Sequence, residues 1–80
     1  MRLDKFLKVS RVIKRRSVAN EACDIGRVKI NDKQAKAFSE VKVGDIIEIK
    51  FGETWTKFEV LSLEQSIKKE EAENMVKILE

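Results

Sequence analysis

Histidine, tyrosine and proline are absent from this 80-residue sequence, cysteine and tryptophan occur once each, and glycine occurs three times. Without histidine or tyrosine, the side chains that most often move protons near neutral pH are missing, leaving carboxylates, lysines and Cys23. So short a chain also has little room for a cleft that desolvates a carboxylate pair. Cys23 has no partner for an internal disulfide and no histidine to join it in a zinc site; placed mid-helix, it reads as a small buried hydrophobe. No apolar run approaches the roughly 18 residues of a membrane-spanning helix, and the start MRLDKFLK mixes acid and base as an export signal does not. Phosphate-loop and dinucleotide-binding glycine patterns are missing, so Gly26, Gly44 and Gly52 read as turn makers. The expectation is a non-enzymatic protein of a reducing cytoplasm, with no metal, cofactor or membrane partner.

What the chain has in plenty is charge, and its distribution is uneven. Apolar residues make up 42% of the sequence, enough for one small core, and the formal net charge is +3. Residues 1–16 hold Arg2, Lys5, Lys8, Arg11, Lys14, Arg15 and Arg16 against Asp4 alone, a balance of +6. Residues 17–40 balance to zero, and residues 41–80 hold six bases against nine acids. A positive field confined to one end points to a polyanion partner approached from that side.

Leu3, Phe6, Leu7, Val9, Val12 and Ile13 recur at spacings of three and four, which predicts a helix running to Ile13. On its wheel Asp4, Lys8, Arg11 and Arg15 fall within about 60° of one another on the opposite side, forming a basic ridge in solvent. Lys14 to Arg16 make a basic turn, and Ser17 is the expected N-cap of a second helix that buries Val18, Ala22 and Ile25 and stops at Gly26. Beyond Gly26 the apolar period falls to two. Arg27 to Ile30, Ile47 to Phe51 and Thr54 to Leu63 read as strands, with turns at Asn31-Asp32, Gly44-Asp45 and Gly52-Glu53. Ala72, Met75, Val76 and Leu79 return to helical spacing and predict a terminal helix, with Ser66 as its cap. Phe6, Phe51 and Phe58 are expected in the core, and Phe38 and Trp55 are expected to pack over it, with a base contact as the alternative for Phe38. The fold class is α+β: two N-terminal helices on a small, curled antiparallel sheet, plus a C-terminal helix.

Arg2-Leu3-Asp4-Lys5 with Leu7, the basic turn before Ser17, Ala19, Ile25-Gly26-Arg27-Val28, Ile30-Asn31, and Val41 with Gly44-Asp45 and Ile47 together resemble the S-four RNA-binding domain. The likeness covers about residues 1–51 and departs at Asp32, where that family usually has Gly. The resemblance implies an S-four (αL) fold over residues 1–63, including the strand extension, with 64–80 as the added helix. The rest of the chain is similar to small stand-alone bacterial quality-control factors of that family, relatives of a ribosome-associated heat-shock protein. That resemblance implies binding to obstructed large ribosomal subunits through large-subunit rRNA and peptidyl-tRNA. It also implies support for a partner factor that adds alanines to the stalled chain, and a monomer away from the ribosome.

Four of the seven N-terminal bases are arginine, whose planar fork grips phosphate bidentately, and the basic turn leads into a helix N-terminus, which also favours anions. In the family that the chain resembles, the helix pair and its turn meet RNA, and the resemblance implies contacts from the matching positions Arg2, Lys5, Lys8, Arg11, Lys14, Arg15 and Arg16, with Arg2 and Arg16, which flank the first helix, foremost. Lys33 and Lys36 extend the footprint by analogy with the domain. A general rRNA assembly factor or chaperone, and a protein interaction module using the acidic C-terminal half, are the competing readings.

Overall fold

The switch of apolar period at Gly26 marks the real boundary between helices and sheet. The computed structural model describes residues 1–64, 72 and 74–79. Two helices, α1 (Leu3–Val9) and α2 (Arg16–Asp24), precede five strands: β1 (Val28–Ile30), β2 (Lys33–Gln34), β3 (Ile46–Phe51), β4 (Thr54–Val60) and β5 (Val76–Leu79). The strands form one sheet in the order β2-β1-β3-β4-β5, every neighbouring pair antiparallel.

Alternation along the strands decides which face is covered. Val28, Ile47, Ile49, Phe58 and Val60 point inward, where they meet Leu3, Phe6 and Leu7 of α1 and Ala19 and Cys23 of α2 in one buried cluster. Each fully buried Val, Leu, Ile or Phe among them contributes about 1.5–3 kcal/mol. Gly26 ends α2 with a φ of +80°. Its N–H donates to the Cys23 carbonyl at 3.2 Å, and the next N–H, of Arg27, donates to Ala22 at 2.9 Å, a double closure of the last turn. A Cβ there would stand 2.7 Å from the Gln34 amide nitrogen, so both conformation and space require glycine. At the β1–β2 turn Asn31 and Asp32 both have positive φ, 51° and 67°, the pattern of a two-residue hairpin turn, and Asp32 adopts it in place of the usual glycine.

Several expectations need correction. α1 stops at Val9, not Ile13, because Arg11 turns into the left-handed region at a φ of +61°, and Val12 and Ile13 pack on the core from the connecting loop instead. Ser17 lies inside the first turn of α2; Arg15 holds the N-cap position and no side chain caps the helix. The buried stripe of α2 is Ala19 and Cys23, four residues apart, whereas Val18 and Ile25 are exposed. Phe51, Phe38 and Trp55 also lie outside the core. Trp55 instead stacks under Lys29, whose Nζ is 4.4 Å from the ring centre.

At the chain end, Val76–Leu79 is a strand pairing with β4, Val76 opposite Val60 and Leu79 opposite Lys57, not the last turn of a helix. Val76, Ile78 and Leu79, two of them β-branched, lie next to an open sheet edge, where the segment gains a ladder of backbone hydrogen bonds that helical spacing does not reveal. Of the rest of the helix expected over 64–80, Ser66 and most of its neighbours lie outside the described residues.

Cys23 is buried, and burial, followed by the charges of Asp4 and Asp24, pushes its thiol up to about 11. It is therefore protonated and shielded at neutral pH. Ellman's reagent at pH 8 should modify the native protein at least about a thousandfold more slowly than the urea-unfolded chain, at a rate that follows global opening.

Candidate nucleic-acid interface

The chemistry of the basic end is organised by the one acid it contains. Asp4 lies in the first turn of α1, is 2% exposed, and does not join the solvent ridge that its wheel position predicts. Its carboxylate is buried because four donors converge on it. Oδ1 accepts from the Lys5 backbone N–H at 2.8 Å and from Nη2 of Arg16 at 3.3 Å. Oδ2 accepts from Nη2 of Arg2 and from Nδ2 of Asn20, each at 3.3 Å. Arg2 stands at the N-cap of α1, while Arg16 and Asn20 lie one turn apart on α2. Asp4 thus ties the two helices together and gathers two arginines separated by 13 intervening residues.

The electrostatics follow from this count. Burial alone would raise the Asp4 pKa; hydrogen bonds from Arg16, Asn20 and the Lys5 N–H, with the Arg16 charge, outweigh it and hold the carboxyl below the ordinary 3.8. Two guanidinium groups facing one carboxylate leave one positive charge in excess. The Arg2 and Arg16 side chains are 50% and 47% exposed, so each is held by Asp4 through one Nη and still open to solvent over about half its surface. A guanidinium oriented in this way is prepared for a bidentate contact at reduced entropic cost.

The remaining predicted residues spread from this pair. Lys8, Arg11, Lys14 and Arg15 are all exposed on the end of α1 and the loop into α2. Lys5 is half-buried on α1. The left-handed turn at Arg11 reverses the chain, so the cations line a bend and not the straight ridge of a longer helix. Lys36 is exposed beside the same centre, since the carbonyl of its neighbour Ala37 accepts the Asp4 N–H at 3.1 Å. Lys33 lies exposed on β2, the edge strand of the sheet. Sequence reasoning missed Asn20 and gave Asp4 the wrong side of its helix. The signal was there for Asn20, because it follows Arg16 by four residues and must share its helix face.

These features define a class: a pair of short helices joined by a cationic bend and laid on a small antiparallel sheet. The model of the S4 domain matches residues 1–47, and this chain belongs to that family. Among individual relatives, the RQC P-site tRNA stabilizing factor of Bacillus subtilis (strain 168) is 56% identical over 79 residues, spanning 99% of this chain and 92% of the relative. In three dimensions the chain is similar to heat shock protein 15 of Vibrio cholerae, solved as a trimer, with a TM-score of 0.89 at 26% identity over 99% of this chain and 81% of that one. The hypothetical protein HP1423, solved in solution, gives a TM-score of 0.83 at 29% identity over 100% and 98% of the two chains.

The low folded-state pKa of Asp4 sets a direction for acid stability. The unfolded chain binds the proton more readily, so the stability contributed by Asp4 is complete above about pH 4 and is lost as pH falls through the folded-state value. Denaturant titrations between pH 2 and 5 should show this loss in the wild type. Asp4→Asn should be less stable by about 1–3 kcal/mol at pH 7 and should lose less on acidification.

Proposed function

We propose that this chain is a non-enzymatic RNA-binding factor of bacterial ribosome-associated quality control, acting in the cytoplasm and monomeric away from the ribosome. It binds obstructed large subunits that carry peptidyl-tRNA, through phosphates of large-subunit rRNA and of the tRNA, and so supports the partner factor that adds alanines to the stalled chain. The observation that carries this reading is the pair of half-exposed arginines held on the buried Asp4 carboxylate. The name of the Bacillus relative, which specifies stabilisation of a P-site tRNA, supports it.

The proposed contacts are Arg2, Arg16, Lys5, Lys8, Arg11, Lys14 and Arg15, with Lys36 beside them and Lys33 at the margin. Phosphates repel one another, so a surface that holds two RNA segments together must supply concentrated positive charge. Loosely attached lysines would do this at an entropic cost. A guanidinium pair positioned by a carboxylate has already met part of that cost. Contacts of this kind fix register and orientation, and the shape of the RNA selects the site. No helix among the described residues is long and apolar enough to cross a membrane.

Sedimentation with stalled large subunits tests the assignment. Affinity should fall with added salt, and Arg2→Ala or Arg16→Ala should each lower it and reduce the log–log salt slope by about one. Unchanged co-sedimentation of both variants would remove these residues from the interface. Asp4→Asn separates positioning from bulk charge. It makes the protein more positive, so tighter binding is expected if charge alone matters; if the carboxylate positions the arginines, binding weakens. Weaker binding by the folded variant is the expected result.

A further inference from the structure

The loop between β2 and β3 carries a side chain that the fold does not use. Phe38 is 68% exposed, whereas Phe6 is fully buried and Phe58 nearly so. Single exposed apolar residues are common on protein surfaces, so exposure alone assigns nothing. The backbone that presents this ring is what distinguishes it. The Ser39 N–H donates to the Lys36 carbonyl at 3.0 Å, and the Lys36 N–H donates to Ser39 Oγ at 2.9 Å, closing a tight turn with Phe38 near its tip. Ala35, Ala37 and Val41 are buried, so the loop is anchored on both sides of the ring.

The same turn is bonded to the start of α1. The Leu3 N–H donates to the Ser39 carbonyl at 2.8 Å and the Asp4 N–H to the Ala37 carbonyl at 3.1 Å. Phe38 thus lies between the acceptors of two successive N–H groups, one of them belonging to the residue that holds Arg2 and Arg16. The backbone of the Phe38 turn is thus bonded directly to that of Asp4, whose carboxylate holds both guanidinium groups, and Lys36 is exposed in the same turn. An exposed aromatic on a turn bonded to the residue that gathers two guanidinium groups matches a nucleotide whose base is unpaired, with its ring on the aromatic and its flanking phosphates on the cations.

We propose that Phe38 stacks on an unpaired base of the bound RNA, which makes this surface selective for looped or single-stranded nucleotides over duplex. The inference rests on the RNA-binding reading above. Its ligand is an unpaired nucleotide, and Phe38 acts on specificity where the arginines act on affinity.

The test compares a fluorescently labelled RNA hairpin carrying an unpaired loop with a fully paired duplex of the same number of phosphates, each titrated by fluorescence anisotropy. Wild type should prefer the hairpin by on the order of tenfold or more, the range of one stacked base. Phe38→Ala and Phe38→Leu should lose that preference while keeping wild-type affinity for the duplex; Phe38→Tyr should retain it. The leucine variant, nearly equal in apolar bulk but without a π face, separates stacking from apolar contact. Arg16→Ala should weaken both RNAs together. Overturning results are wild-type selectivity in Phe38→Ala, or an equal loss on hairpin and duplex. If Arg16→Ala leaves both affinities intact, the RNA-binding reading itself fails, which a failure at Phe38 alone would not imply.

Discussion

The rest of the basic end depends on the buried carboxylate of Asp4. A lone carboxylate out of water would be strongly destabilising, and it is tolerated here because two guanidinium groups, an amide and a backbone N–H meet it. The same bonds join α1 to α2 and set the direction in which both arginines face. Folding and presentation of positive charge are therefore one event. A surface of mutually repelling cations would otherwise open the helix pair; one central anion lowers that repulsion and still leaves the outward edges cationic.

Around this centre the fold acts as a mount. The sheet packs α1 and α2 on a single face, and the loop from Ala37 to Val41 returns to the N-terminus through three backbone hydrogen bonds and a 3.1 Å ion pair between the terminal ammonium and Glu40. Residues far apart in sequence are held at one end with little freedom. Rigid presentation matters most for weak, solvent-screened contacts such as those to phosphate, because each is easily cancelled by the entropy of ordering a long side chain.

Much of this was legible in the residues. The change of period at Gly26, the hairpins at Asn31-Asp32 and Gly52-Glu53, and the burial of Ile47 and Ile49 on β3 follow from local patterns that the tertiary structure leaves intact, although Phe51 at the strand end stays exposed. Others were hidden for physical reasons. Val12 and Ile13 continue the helical spacing and do pack on the core, but from a loop, so burial alone could not reveal that the helix had ended at Val9. Val76–Leu79 satisfies either period, and only the open edge of β4 decides between them. The wheel of α1 turns Asp4 to solvent, and what buries it includes Arg16 and Asn20 of a second helix that this wheel cannot include. For the candidate site, the list of cations was readable, while the pairing of Arg2 with Arg16 and the outward turn of Phe38 needed three dimensions.

Asn31 has a further consequence. Its side chain donates to Asp45 Oδ1 at 3.1 Å and accepts the Ile46 N–H at 2.9 Å, while Asp45 Oδ2 receives the Lys42 N–H at 2.8 Å. The β1–β2 turn and the loop entering β3 are therefore latched by one amide. Two loops sharing a latch cannot drift independently: an insertion in either strands the other's polar groups. Through such a latch, the geometry of one loop becomes a condition for the geometry of the other.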